Sequence, residues 1–481
     1  MAEVVKKMVP LCNSSKTHRG WRHRAGIVLL VGALSGQGAL ADTLADALVG
    51  AYTHTGLLDQ NRALLRVADE DVAIAGAALK PIVNWTADLT TDISTSRTGF
   101  RFNSVSTSAS AGLNATLQLF DGGADAARIE ASKETVLATR AALISVEQIV
   151  LLRAATAYFN VQRQQEFVGL RQNNLRLLQQ ELRAAQDRFE VGEVTRTDVA
   201  LAEAAVADAR SSLADAQRDL VQAQAEYTNA VGAPPGRLSG LPRLPNTTTD
   251  IKSAQAVAVR NHPDMEQARH EVAANELLVT AAVADTSPTV TLDGSLGLTE
   301  DFDSSIDGTL GRIGINAGGP IYQGGALSAS ERRAAAVRDA SRGNLHTVRH
   351  DVAQDVVDAI SNFVAASASL VSSENQVRAA RVAFQGVREE ATLGARTTLD
   401  VLDSEQDLLD AETNRISAQA DQYIAAYQVL ESTGMLTAQR WKLPVQLYDP
   451  AAYYNLVKDG PAKRSKQGRQ LDKVLRALQL D

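Results

Sequence analysis

The second half of this sequence repeats the first at a fixed distance, and this repetition limits the possible folds more than any other feature. The stretch FEVGEVTRTDV at 189–199 returns as ATLGARTTLDV at 391–401, so that Gly192 is matched by Gly394, 202 residues later. Other glycines keep the same spacing without a gap: Gly122 and Gly123 match Gly324 and Gly325, and Gly232 matches Gly434. Self-similarity at one fixed period indicates a duplicated structural unit.

The duplication predicts two repeats with the same succession of elements, at 42–240 and 241–445. Side chains that alternate with a period of two around turn-rich loops predict β-hairpins at 82–120 and 289–322. The predicted helices are 43–79, 126–190 and 198–232 in the first repeat, and 253–284, 327–390 and 400–434 in the second. In each repeat a tip turn, the first at 190–198 and the second at 391–400, joins the long helix to a return helix.

Long helices explain the composition better than a compact core does. Only 4% of the residues are aromatic, although aromatic side chains usually supply much of the buried area of a core. The long helix of each repeat contains no proline and has about 64 residues, which corresponds to about 95 Å. In the first return helix, apolar residues follow one another at steps of seven from Val199 to Tyr227. This strict heptad pattern indicates coiled-coil packing with a left-handed supercoil.

The N-terminus predicts export from the cytoplasm. Six basic residues precede the apolar run AGIVLLVGAL, and ALA at 39–41 follows it, which is the pattern of a secretory signal peptide at 1–41. Its removal leaves 42 basic and 55 acidic residues, a formal charge of −13, together with no cysteine, since Cys12 lies inside the signal. Such a charge argues against nucleic acid as a partner, and the exported chain cannot form a disulfide.

The two hairpins supply four strands of about ten residues each, which is the length of a tilted membrane-spanning strand. Four strands cannot close a barrel, and open strand edges are not tolerated in lipid. If the hairpins lie in a membrane, several chains must share one barrel, with eight strands from a dimer or twelve from a trimer. The alternative is that the hairpins are small soluble sheets that cap a helical bundle.

The tip turns carry a family resemblance. The sequences RFEVGEVTRTDVALAEA at 188–204 and GARTTLDVLDSEQDLLDAE at 394–412 are similar to the two helix-tip motifs of the TolC family of outer-membrane efflux and export channels. The resemblance extends over roughly 42–440. It implies a mainly α-helical homotrimer in which four strands per chain form a twelve-stranded transmembrane β-barrel, continuous with a coiled-coil α-barrel in the periplasm.

The resemblance also assigns roles to residues of the tip turns. Gly192 and Gly394 allow a left-handed exit from each long helix, and Asp198 and Asp400 are placed to stabilise the start of each return helix. Asp400 and Asp403 lie one helical turn apart on one face, so three chains would form two carboxylate rings at the pore constriction, where charged rings set ion selectivity.

Further gate and junction roles follow from the same resemblance. Arg396 would link the second tip turn to Thr197 and Asp198 of a neighbouring coiled coil. A tyrosine of the best-known family member is replaced here by Ala391, which predicts a closed state with fewer links. Four glycines are expected at the strand–helix junctions: Gly122, Gly123, Gly324 and Gly325.

The function implied is a passive exit duct of a tripartite efflux or type I secretion system, and not an enzyme. Its expected partners are a periplasmic adaptor, an inner-membrane ABC or proton-driven pump, and the outer-membrane lipid. No cofactor or metal is expected, because HTVRH, with His346 and His350, lacks the glutamate and third ligand of a zinc site. The alternative is a secreted coiled-coil scaffold without a pore. The basic tail, 446–481, is expected to be either a flexible periplasmic extension or a segment that wraps the acidic outside of the helical barrel.

Overall fold

The computed structural model describes residues 42–98, 100–302 and 308–477. The predicted signal peptide, 1–41, lies outside these residues, and so do the ends of both hairpin loops and the last four residues. The helices are α1 Leu44–His54, α2 Gly56–Ala77, α3 Ala124–Glu190, α4 Arg196–Val231, α5 Ile251–Asn261, α6 Pro263–Ala284, α7 Ala326–Thr392, α8 Thr398–Ser432, α9 Pro450–Val457 and α10 Lys466–Ala477. The strands are β1 Ile82–Thr98, β2 Phe100–Phe120, β3 Thr289–Asp301 and β4 Gly308–Gly318. The order of elements repeats as predicted.

The first helical segment of each repeat differs from the prediction, because it is broken into two helices. In the first repeat the break is at Thr55, whose backbone is extended and whose hydroxyl accepts a hydrogen bond from the N–H of Leu57. In the second repeat it is at His262, which precedes Pro263. A residue before proline is disfavoured in the helical region, and proline is well accommodated at a first helical position.

The four strands form one antiparallel sheet in the order β1-β2-β3-β4. Strands β2 and β3 pair with each other, for example at Leu113 and Leu296. This pairing joins the hairpins of the two repeats into a single sheet. Among the described residues, β1 and β4 pair on one side only, so each presents an open edge. The first hairpin has the predicted bounds, but its strands of 17 and 21 residues are longer than the expected ten or so, because backbone pairing continues through the Ser/Thr-rich stretch.

The sheet has one apolar and one polar face. Directly paired residues point to the same face, and the register places ten apolar side chains together, each more than half exposed: Val83, Trp85, Leu89, Ile93, Val105, Leu113, Leu296, Leu298, Ile313 and Ile315. On the opposite face, Asp293 accepts hydrogen bonds from Thr116, Thr291 and Asn316 at 2.6–2.9 Å. The described part of the chain leaves the apolar face uncovered.

The two long helices, α3 and α7, have 67 residues each, which corresponds to about 100 Å. Each contains an apolar window that could cross a membrane by length and composition alone, but the helices are about three times longer than a bilayer's hydrocarbon core. Helices α2 and α4 pack along α3, and α6 and α8 pack along α7. This arrangement agrees with the coiled-coil prediction.

Several aromatic side chains form a cluster at one level of the helical part. Tyr158, Phe159 and Tyr427 are almost fully buried, and the ring centroids of Phe159 and Tyr427 lie 5.7 Å apart. The segment that connects the repeats crosses here, and the carbonyl oxygen of Ser239 accepts a hydrogen bond from Tyr158 at 3.0 Å. This aromatic cluster packs α3 against α8 away from the tips.

The C-terminal tail is partly helical. It contains α9 and α10, and α9 packs on α2. The hydroxyl of Tyr453 donates a hydrogen bond of 2.7 Å to Glu70, and Val457 is fully buried.

Candidate functional site

Both tip turns leave their long helix in the same way. Gly192 and Gly394 have φ angles of +79° and +76°, a left-handed conformation that a side chain with a β-carbon adopts only with strain. The next residues, Glu193 and Ala395, donate hydrogen bonds of 2.9 and 3.0 Å back to carbonyl oxygens of the last helical turn. The glycines therefore reverse the chain tightly at the end of each coiled coil.

Both return helices begin with the same capping box, two residues earlier than predicted. Thr195 and Thr397 are the N-cap residues, and Asp198 and Asp400 occupy the third helical position. Each aspartate accepts hydrogen bonds from the backbone N–H and the hydroxyl of its threonine. These bonds lower the pKa of both aspartates, so both carry a negative charge near neutral pH. The prediction that Asp198 and Asp400 stabilise the helix starts agrees with this arrangement.

The two tips lie side by side and enclose an open cleft of about 970 Å³. Residues of both repeats line it, including Asp198 from the first tip and Ala391, Gly394 and Arg396 from the second. Thus two of the three predicted gate residues face one cleft within a single chain. Thr197, Asp400 and Asp403 are not part of this lining.

Arg396 forms an ion pair within its own turn. Its Nε lies 2.9 Å from Oε2 of Glu390, and this carboxylate raises the pKa of the guanidinium. In this single chain the side chain contacts Glu390 instead of Thr197 or Asp198, the partners that were predicted across a neighbouring coiled coil.

Asp400 and Asp403 lie at successive turns of α8, as predicted from their spacing. Asp403 is exposed and Asp400 is partly exposed, while Val401 between them is buried. The two carboxylates therefore project from the surface of α8 that the chain itself leaves open.

A buried polar network above the tips was missed by the sequence reasoning. Glu405 of α8 is only 4% exposed, and its Oε1 accepts a hydrogen bond of 2.7 Å from Asn174 of α3. Nearby, Arg388 of α7 forms an ion pair of 3.1 Å with Glu181 of α3. Burial raises the pKa of Glu405 to about 7, with the negative charge of Glu181 adding to the effect.

The repeat offered no signal for this network. The counterpart of Glu405 in the first repeat, Glu203, is exposed. Glu405 is buried because α8 packs against α3 as well as α7, a contact between repeats that the local pattern does not encode.

The four junction glycines lie between strand and helix in both repeats, all with positive φ angles of 60–88°. Gly123 and Gly325 are the residues before α3 and α7. A β-carbon on Gly122 would meet Ser287 at 2.6 Å, whereas one on Gly324 would meet nothing within 4 Å. The two repeats therefore meet at the first junction, while the second is open in the single chain.

Comparison with known proteins agrees with this architecture. The family described as Outer membrane efflux protein matches the chain twice, at residues 55–233 and 256–435, one match to each repeat. The chain is 34% identical to the outer membrane efflux protein BepC of Brucella suis over 90% of this chain and 95% of that protein. It is 25% identical to the outer membrane protein TolC of Vibrio cholerae over 77% of this chain and 86% of that protein.

A solved structure confirms the fold class. The outer membrane channel CmeC of Campylobacter jejuni superposes with a TM-score of 0.74 at 16% identity, covering 93% of this chain and 98% of that one. The matched proteins are outer-membrane channels and not enzymes, which agrees with the expectation that this chain is not an enzyme. The chain belongs to the outer membrane efflux protein family, with its place in the outer membrane and its helices extending into the periplasm.

Proposed function

We propose that three copies of this chain form one continuous exit duct, with a twelve-stranded barrel in the outer membrane and a helical tunnel below it. The sheet is the observation that carries this proposal. Its ten exposed apolar side chains on one face are suited to lipid, but its two open edges are not tolerated there. In a barrel of several copies, each open edge would pair with a strand of a neighbouring copy, so that no edge is left exposed to lipid.

The periplasmic end of the duct is proposed to be its gate. The tips of both repeats lie together in each chain, so three chains bring six tip turns to one aperture. Asp400 and Asp403 project from α8 on a surface that the chain itself does not cover. Three copies would form two negative rings there, and such rings favour cations over anions. The lowered pKa of Asp400 keeps its ring ionised at neutral pH.

Arg396 is the proposed link that keeps the gate closed. It lines the same cleft as Asp198, and a charge-assisted hydrogen bond between a guanidinium and a carboxylate is among the stronger polar links. Glu390, its partner in the single chain, competes for the same guanidinium. When Arg396 binds Thr197 and Asp198 of the neighbouring tip, the aperture would be closed. When it binds Glu390 of its own turn, the aperture would be free to open, without a change in net charge.

The duct does not supply energy in this proposal. A periplasmic adaptor would dock in the clefts between the tips, and an inner-membrane ABC or proton-driven pump would deliver the substrate. The support for this arrangement is family membership and the names of the relatives, one of which is described as an efflux protein. The class of substrate is left open.

Single-channel conductance in planar bilayers tests the proposal. The wild-type protein, purified in detergent, should give small cation-selective openings. The double variant Asp400→Asn/Asp403→Asn should lose most of this selectivity, because it removes six charges from the constriction of a trimer. The control Glu374→Gln/Glu389→Gln removes as many charges from exposed positions of α7 and should keep the wild-type selectivity.

Two results would count against parts of the proposal. Pores whose selectivity is equal in the wild type and the double variant would leave the duct standing and overturn the constriction assignment. A folded protein that stays soluble without detergent and gives no conductance would favour the scaffold alternative.

A further inference from the structure

The C-terminal tail runs along α2 toward the strands. The N–H of Tyr448 donates to the hydroxyl of Tyr52 at 3.4 Å, and Tyr453 contacts Glu70 further along. The ammonium group of Lys80 then contacts the carbonyl oxygen of Asp459. Since Lys80 lies two residues before β1, the tail has reached the junction of helix and sheet at residue 459.

Helix α10 begins close to this junction. Lys466, at the start of α10, follows six residues after Gly460, which lies over Ala73. A fully extended chain covers at most about 22 Å over six residues. Ser465 fixes the helix start, because its hydroxyl accepts a hydrogen bond of 2.9 Å from the N–H of Gly468. The start of α10 therefore lies within about 22 Å of Gly460, which itself lies beside the end of α2.

The residues of α10 divide into a basic and an apolar face. Lys466, Arg469, Lys473 and Arg476 follow one another at intervals of three and four, the spacing that places side chains on one face of a helix. Leu471, Val474 and Leu475 lie on the opposite face. All three are partly or largely open to solvent, and Val474 is 36% exposed. Within the described residues they belong to none of the three apolar core clusters.

We infer that α10 lies on the membrane surface and binds anionic phospholipid headgroups of the leaflet that faces the helical part. This inference rests on the proposed placement of the sheet in the membrane. Residues 463–477 contain six basic residues and one acidic residue, a charge that is complementary to anionic lipid. A helix with a basic and an apolar face lies in the interface plane of a bilayer, with its apolar side in the headgroup region.

The acidic surface of the protein itself is the competing partner for these positive charges. Charge alone would suit either partner. The partly exposed apolar face favours lipid, because an acidic, solvated protein surface offers little apolar contact to Leu471, Val474 and Leu475. The start of α10, within about 22 Å of Gly460 near the junction of α2 and β1, favours lipid as well.

A fluorescent label on α10 tests this inference in the full-length protein. The mature chain is expected to have no cysteine, so Val474→Cys gives a single site for an environment-sensitive dye. In proteoliposomes of phosphatidylcholine with phosphatidylglycerol, we expect a blue-shifted emission and protection from iodide quenching. Both effects should weaken in phosphatidylcholine alone and in the variant Lys466→Glu/Arg469→Glu/Lys473→Glu. The matched control is the dye on Lys473→Cys, on the opposite face, which should stay accessible to iodide.

The outcomes separate this inference from the proposed function, since conductance is measured on the same proteoliposomes. Pores combined with equal emission in both lipid mixtures would overturn the lipid contact and leave the duct intact. The same blue shift after the substitutions Lys466→Glu/Arg469→Glu/Lys473→Glu would show that the contact does not depend on the basic face and would also overturn the inference. An absence of pores would count against the duct.

Discussion

At the scale of single residues, the tip turns combine a glycine that reverses the chain with a threonine and an aspartate that cap the next helix. The spacing Thr-x-x-Asp fixes which hydroxyl is the cap, because the aspartate at the third position reaches back to the N–H of the cap residue. Each tip sequence offers two nearby hydroxyls, as in Thr195 and Thr197, and the spacing to Asp198 identifies Thr195. The cap could therefore have been assigned from the sequence alone.

The buried carboxylate of Glu405 predicts a pH-dependent stability. Its pKa is raised from an ordinary value of 4.5 to about 7, so between these values the folded protein binds a proton that the unfolded chain has released. The free energy of unfolding should then fall as the pH rises from about 4.5 to 7. Glu405→Gln keeps the acceptor for Asn174 and removes the charge. We expect it to flatten this dependence and to raise stability above pH 7, on the order of 2 kcal/mol per chain.

Thermal unfolding in detergent between pH 5 and pH 8 measures this effect. The control Asp71→Asn removes an exposed carboxylate of α2 and should keep the wild-type pH profile. A profile for Glu405→Gln parallel to that of the wild type would show that the network does not bind a proton in this range.

At the scale of elements, the sequence predicts best where a period is clear. The alternation of Val83, Trp85 and Leu89 with polar neighbours predicts the strands and the face each side chain takes. The Ser/Thr-rich stretch has small polar residues at successive positions, so its alternation disappears although its backbone stays paired. The break before Pro263 could have been read from the proline, whereas the break at Thr55 depends on a local cap that the apolar pattern hides.

The two faces of the sheet predict effects of different size for the same substitution at adjacent positions. Leu113 lies on the apolar face and Asn114 on the polar face. If the apolar face contacts lipid, Leu113→Lys should destabilise the barrel by about 2–4 kcal/mol, as lysine does near the middle of a bilayer. Asn114→Lys, which faces a polar interior, should have a much smaller effect.

Urea unfolding in liposomes and the yield of folded protein in the outer membrane compare these two variants. Equal destabilisation by both lysines would contradict the assignment of the faces. A larger effect of Asn114→Lys would reverse it.

At the scale of the whole molecule, the repeat predicts how neighbouring chains meet. Within one chain, α3 of the first repeat packs against α8 of the second, with Asn174 bonded to Glu405. By the 202-residue repeat, Asn174 corresponds to Gln376 of α7 and Glu405 corresponds to Glu203 of α4. Both of these residues are exposed in the single chain. In a closed ring of alternating repeats, Gln376 of one chain should therefore lie next to Glu203 of the next.

Cross-linking with a short bis-maleimide tests this central claim most directly, because the mature chain is expected to have no cysteine of its own. The pair Asn174→Cys/Glu405→Cys is the internal control and should react within one chain, leaving a band of monomer size in denaturing gels. The pair Glu203→Cys/Gln376→Cys should instead link different chains and give covalent dimers and trimers but nothing larger. Monomer bands from this second pair, in membranes where the control reacts, would contradict a ring of three chains built on the repeat.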